Sequence, residues 1–129
     1  MKSKRPVNLD LRQVLAVNLL NPVAIASILH RMSGVVIFLL IPVLLYLLQQ
    51  SMGSQSSFDT LVTGWHQNFI LRVSVFLTLA GLVYHLVMGC KHLLADVGIG
   101  ETLEGGKRMA VSGMVLAGIG IILVLVWVI

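Results

Sequence analysis

Three long stretches of this chain are apolar and almost free of charge, and short polar stretches separate them. Val35 to Leu48 holds no charged residue. Phe69 to Leu94 holds none between Arg72 and Lys91, and Met109 to Ile129 holds none at all. As a helix, a run of about 20 apolar residues crosses the ~30 Å hydrocarbon layer of a bilayer. The pattern therefore predicts an all-α membrane protein with three transmembrane helices over about 22–48, 69–94 and 109–129. Asn21-Pro22 marks the start of the first, with Asn as cap and Pro in the first turn, where its missing N–H is harmless. Pro42 removes a backbone donor inside that span and predicts a bend. Gln49 to Asn68, rich in Ser, Gly and Gln, reads as a polar loop in which His66 is solvated. Val97 to Lys107, broken by Gly98, Gly100, Gly105 and Gly106, reads as a second loop. No internal repeat or linker divides the chain. It reads as one membrane domain over 1–129, with a polar N-terminal segment over 1–20 that is extended around Arg5-Pro6.

Composition agrees with this reading. Of 129 residues, 57% are hydrophobic and 11% charged, and the mean hydropathy is +0.97. A soluble domain runs nearer 25% charged. The net charge of +4 raises nucleic acid as a partner, but the cations form no stripe interleaved with aromatics; they sit at the ends of apolar runs. Nucleic-acid binding is excluded on that ground. A secretory signal is weighed because Lys2, Lys4 and Arg5 precede an apolar patch and Ala24-Ile25-Ala26 resembles a cleavage site. Asn18, Asn21 and Pro22 interrupt the hydrophobic region it would need. Lone Cys90 forms no internal disulfide and reads as a small packing residue.

The basic residues predict orientation. Lys2, Lys4, Arg5, Arg12 and Arg31 precede or open the first span, Arg72 alone follows the first loop, and Lys91, Lys107 and Arg108 flank the second. Eight of nine thus fall on one side, which places the N-terminus in the cytoplasm and the C-terminus in the periplasm.

Two clusters carry chemistry. In the first span, Ser27, His30, Arg31 and Gly34 fall within an arc of about 100° on a helix. A hydroxyl, an imidazole and a guanidinium then face one way at the edge of the bilayer. Such donors suit a carbonyl gaining negative charge, as in a quinone being reduced, although a boundary Arg also serves as a plain anchor. In the second span, Ser74, Thr78, Gly81, His85, Met88 and His92 recur at steps of three and four, a stripe suited to a partner helix or a cofactor. His85 lies about six residues inside Lys91, roughly 9 Å into the apolar layer. A histidine at that depth needs a partner. The partner is either a Ser or Thr of another helix or haem iron, to which neutral imidazole is an axial ligand. Gly81 and Gly89, one turn either side, leave room for a flat ring. His30 is placed at the boundary, level with His92 and not with His85, so a second axial ligand is expected from another polypeptide. His30, Arg31 and His92 are then placed for the haem carboxylates. Gly113, Ala117 and Gly120 form a small-residue strip for helix packing, and Arg72 reads as an outer anchor.

Taken together, the chain resembles the cytochrome b556 membrane-anchor subunits of bacterial succinate dehydrogenase (respiratory complex II). Arg5-Pro6 followed by Ser27-x-x-His30-Arg31-x-Ser33 is similar to their first signature. His85-x-x-x-Gly89, His92 and Asp96-x-Gly98 are similar to their second. Lys91, Cys90 and Ala95 depart from the pattern. Lys91 stands where the relatives usually carry Arg, and it has no bidentate fork for a carboxylate.

The resemblance implies haem b with His85 as one axial ligand and the other from the smaller membrane-anchor subunit. It implies Ser27 and Arg31 at a ubiquinone site beside the iron–sulfur subunit, and His30, Arg31 and His92 by the haem propionates. Succinate oxidation would take place on a flavoprotein subunit, so no catalytic residue lies on this chain alone. The location would be the bacterial inner membrane, within the respiratory chain and the tricarboxylic acid cycle. Two other readings remain. A haem-free structural anchor of a fumarate reductase-type complex would show no visible absorption. A small ion conductor using His85 and His92 would need polar groups right across the bilayer, and Met109–Ile129 supplies none.

Overall fold

A computed structural model describes residues 10–129, and those residues contain helices and no strand. The helices are α1 (Leu11–Leu20), α2 (Pro22–Gly53), α3 (Gln55–Gln67), α4 (Phe69–Asp96) and α5 (Leu103–Val128). α2, α4 and α5, with 32, 28 and 26 residues, are long and apolar enough to cross a membrane. At 1.5 Å per residue each measures about 40 Å or more, which exceeds the ~30 Å hydrocarbon layer. The three predicted spans are therefore present, each a little longer than its apolar run. Lys2, Lys4, Arg5 and Pro6, with the expectations attached to them, lie outside the described residues.

Helix boundaries follow from capping side chains. Asn21 Oδ1 accepts from Val23 N at 3.0 Å with Pro22 opening α2, as the dipeptide predicts. Asn68 Oδ1 caps α4 through Leu71 N at 3.1 Å. Thr102 Oγ1 caps α5 through Gly105 N at 3.0 Å. α4 ends in a turn in which Gly98 N donates to Ala95 O at 3.0 Å and Ile99 N to Leu94 O at 2.9 Å. Gly98 and Gly100 have φ of +87° and +82°, the left-handed region a side chain disfavours. Pro42 lies inside α2 without ending it.

Three stretches depart from expectation. Gln49–Asn68 is not a loop: α2 continues to Gly53 and α3 follows. Ser54 and Ser57 form a reciprocal capping box, and Phe58, Leu61, Val62 and Trp65 recur at steps of three, one and three, giving α3 one apolar side. His66 is thus helical, though exposed. The second loop is shorter than its glycines suggest, because the Thr102 cap starts α5 at Leu103. Gly105 is needed there: a Cβ on it would lie 2.8 Å from Thr102 Oγ1 and 3.1 Å from Gly100 Cα. Finally, the second half of the N-terminal segment is helical, as α1.

Few residues are buried. Ala26, Met88, Ala110, Ala117 and Val128 are, and so are the polar residues Ser33 and Thr78. Three helices side by side cannot enclose a core, and large side chains such as Phe38, Leu86 and Leu123 face outward. That is the surface a bilayer solvates. Among the described residues, buried side chains of α2, α4 and α5 meet at Ala26–Met88–Ala110, where small residues on the outer two helices admit the Met88 side chain. The strip on α5 also packs as expected. A Cβ on Gly113 would stand 2.9 Å from Met88 Cε, and one on Gly120 2.7 Å from Val83 Cγ1.

Candidate functional site

Near the N-terminal end of α2 and the C-terminal end of α4, three histidines meet. The His30 and His85 rings stack with centroids 4.1 Å apart and planes 21° apart. The His92 ring lies 5.2 Å from His30, tilted 47°. Spacing placed His30 level with His92 and not with His85. The structure corrects this: His30 lies within ring contact of both. Counting residues measures depth along one helix, whereas the stagger between two helices is set by how they pack.

The packing that sets this stagger uses glycines from both sides. A Cβ on Gly34 would lie 3.1 Å from His85 Cε1, so α2 makes room for the ring. On α4, a Cβ on Gly81 would lie 3.4 Å from Ile37 Cγ1 and 3.7 Å from Ser33 O, and one on Gly89 3.8 Å from His30 Nε2. The space expected beside Gly81 and Gly89 for a flat ring is therefore taken by α2, which a bare Cα lets approach closely.

His85 is held by its Nδ1. That atom lies 3.1 Å from Ser33 Oγ and 3.2 Å from the carbonyl oxygen of His30. Ser33 Oγ itself donates to the same carbonyl at 2.7 Å. A carbonyl oxygen only accepts, so Nδ1 carries the proton and donates, with Ser33 offering a lone pair. Neutral His85 then has an unprotonated Nε2, the form a metal requires. Among the described residues Nε2 makes no hydrogen bond, and it is not among the sealed, unpartnered atoms, so it stays reachable. His30 Nε2 is the reverse: buried, with no partner among the described residues. No group of three or more His, Cys, Asp or Glu among those residues could hold a bare metal ion.

Ser27 and Arg31 flank this cluster on α2 without joining it. Ser27 is half-buried and Arg31 exposed. The arc of four residues thus divides: His30 and Gly34 face α4, while Arg31 is exposed and forms no ion pair among the described residues. Lys91 belongs elsewhere. With Cys90 and Ser112 it lines a groove of about 560 Å³ between α4 and α5, away from the histidines. Ser74 and Thr78, from the polar stripe of α4, donate to their own helix at Ile70 O (2.9 Å) and Ser74 O (2.8 Å).

The part of Ser33 had gone unassigned by spacing. A signal for it exists: Ala26, His30, Ser33 and Ile37 recur at steps of four, three and four, mirroring the stripe on α4.

Residues 1–124 match the family described as succinate dehydrogenase/fumarate reductase transmembrane subunit. Over 128 residues the chain is 38% identical to the succinate dehydrogenase cytochrome b556 subunit of Coxiella burnetii (strain RSA 493 / Nine Mile phase I), covering 99% of each.

Proposed function

The chain belongs to the succinate dehydrogenase/fumarate reductase transmembrane subunit family, and from that premise we propose that it binds haem b through His85 and forms part of a quinone-reduction site. The coarser role is a multi-pass membrane anchor within an oxidoreductase complex. The observation that carries the finer reading is the hold on His85 Nδ1 by Ser33 Oγ and His30 O. This second layer of contacts selects the tautomer and aims the ring, as outer partners of metal-bound imidazoles do. His85 Nε2 would hold the haem iron, and the group would supply a one-electron store beside the quinone. A further iron ligand would be supplied by the smaller membrane-anchor subunit.

The remaining residues act by charge and hydrogen bonding. His30, Arg31 and His92 would hold the haem propionates, since hydrogen bonds between charged donors and carboxylates are stronger than neutral ones. The Ser27 hydroxyl and Arg31 guanidinium donate to a ubiquinone carbonyl as its oxygen gains negative charge. Arg31, exposed and without an acidic partner among the described residues, is available for this. Succinate oxidation belongs to the flavoprotein subunit, with the iron–sulfur subunit between it and this chain. The complex sits in the bacterial inner membrane, with the N-terminus of this chain inside and its C-terminus outside.

Two observations favour a second reading. The Nδ1 bonds and the close approach of α2 at Gly81 and Gly89 also suit a haem-free structural anchor. A reduced-minus-oxidised visible spectrum of the purified complex separates the two. The b-type band is expected in the wild type and absent in His85→Ala. An assembled wild-type complex with flavin and iron–sulfur centres but no band would leave only the structural reading. An unchanged band in assembled His85→Ala would remove His85 as the ligand.

A further inference from the structure

α3 is amphipathic, but its apolar side is not the side that meets α2 and α4. Helical spacing puts Phe58, Leu61, Val62 and Trp65 within an arc of about 100°, and the exposed Ser56, Asp59 and Thr63 lie beyond it. Toward α2 and α4 the helix turns Ser57, Thr60, Leu61 and Gly64, which wall a cavity of about 250 Å³. Ser57 Oγ donates across this contact to Gln50 O at 2.8 Å. The two sides are about a third of a turn apart, and only Leu61 belongs to both. Phe58 and Val62 are consequently left 44% and 49% exposed.

α5 fixes the depth at which this happens. The Trp65 and Trp127 rings meet with centroids 6.0 Å apart, and Val62 and Trp65 face Trp127 across a cleft of about 330 Å³. α5 has 26 residues, so at about 39 Å it exceeds the ~30 Å hydrocarbon layer by about 9 Å. Shared between its two ends, that excess puts Trp127, next to last in the helix, among the lipid headgroups, where indole rings settle. α3 is thus held where a bilayer turns from polar to apolar, with its own polar and apolar sides separated. A second protein is a poorer fit for the exposed side. Phe58, Val62, Trp65 and Trp127 are four side chains, far short of the ~800 Å² that each partner buries in a stable interface. A bilayer needs no such area, and it already solvates the outward faces of the spans that α3 adjoins.

We propose that α3 is an interfacial helix, embedded in the headgroup layer at this end of the bundle. Phe58 and Val62 reach the acyl boundary, and Trp65 and Trp127 stand side by side at the headgroups. α3 carries no Lys or Arg, so its hold is hydrophobic and needs no anionic lipid. None of these residues serves the haem or the quinone, so the two readings stand or fall separately.

The test uses the assembled complex in nanodiscs of phosphatidylcholine alone. One nitroxide label at a time is attached to Phe58→Cys, Asp59→Cys, Val62→Cys or Thr63→Cys, in a Cys90→Ser background. Oxygen concentrates in the bilayer and a nickel chelate in water, so power saturation reports what surrounds each label. The ratio of oxygen to nickel access is expected to be several-fold higher at Phe58 and Val62 than at Asp59 and Thr63. Nickel access dominating at all four would put α3 in water and overturn the proposal. Poor access of both reagents at Phe58 and Val62 would mean that protein covers them, and overturns it equally. A benzophenone photo-crosslinker in place of Phe58, close to the native ring in shape, guards against disturbance by the labels. Adducts with lipid support the interfacial helix, and adducts with another subunit overturn it.

Discussion

Toward α2, helix α4 presents Gly81, His85 and Gly89; toward α5 it presents Val83, Val87 and Met88. The first contact is polar and specific. It joins an imidazole to a hydroxyl and a carbonyl, with glycines on both helices bringing the backbones close. The Tyr84 hydroxyl adds a donation to Ala26 O at 3.4 Å. The second is shape alone, with Gly113, Ala117 and Gly120 receiving larger side chains and no side-chain hydrogen bond crossing among the described residues. In lipid, apolar side chains gain little by leaving the solvent, so adhesion rests on close van der Waals fit and on the few polar bonds. One helix can then separate the tasks. Its α5 face holds the bundle together, and its α2 face positions chemistry.

The largest effect that would break this contrast is expected from Gly34→Val. Its Cβ would already crowd His85 Cε1 at 3.1 Å, and the added methyls leave the ring no place beside Ser33. The haem band is expected to vanish, while Gly118→Val, which faces open space, leaves it intact. Both visible spectra decide it. Next, Arg31→Ala is expected to slow quinone reduction about 100-fold, as loss of one donor to a developing oxyanion does. Succinate-dependent reduction of a soluble dye should hardly change. Equal losses in the two assays would instead signal failed assembly.

Ser33→Ala is milder, since His30 O still accepts from Nδ1. Haem retention against a competing apo-globin is expected to fall about 10-fold, the lower end for a lost outer-layer contact. The smallest effect belongs to the α5 face. Gly120→Ala meets Val83 Cγ1 at 2.7 Å and should destabilise by about 1 kcal/mol through overpacking. Thermal melting would register this as a few degrees, with the visible spectrum unchanged. A spectral shift in Gly120→Ala as large as that in Ser33→Ala would erase the division between the two faces.

Much of this was legible in the chain. Hydrophobic runs and the Asn21 cap mark the spans, because the length and polarity a bilayer demands are properties of a single helix. His85 stands out for the same reason, as its depth follows from counting residues inward from Lys91. α3 was missed, although the spacing of Phe58, Leu61, Val62 and Trp65 carried a signal for it. The Ser, Gly and Gln content of that stretch pointed the other way, and the Ser54 capping box with an apolar side outweighed it. The tilted approach of Trp65 to Trp127, with ring centroids 6.0 Å apart, draws α3 toward the end of α5.

What the sequence determined by itself is the three spans, the Asn21 cap of the first, and membership of a family of respiratory membrane subunits. Only the tertiary structure decided which residues meet. It put His30 against His85, turned Ser33 into the partner of Nδ1, gave Gly81 and Gly89 to α2, and moved Lys91 to the groove facing α5. The physical reason is that periodicity fixes an angle and a height on one helix axis. The stagger and rotation between two axes depend on how side chains of both helices interlock, and no single stretch of chain carries that information.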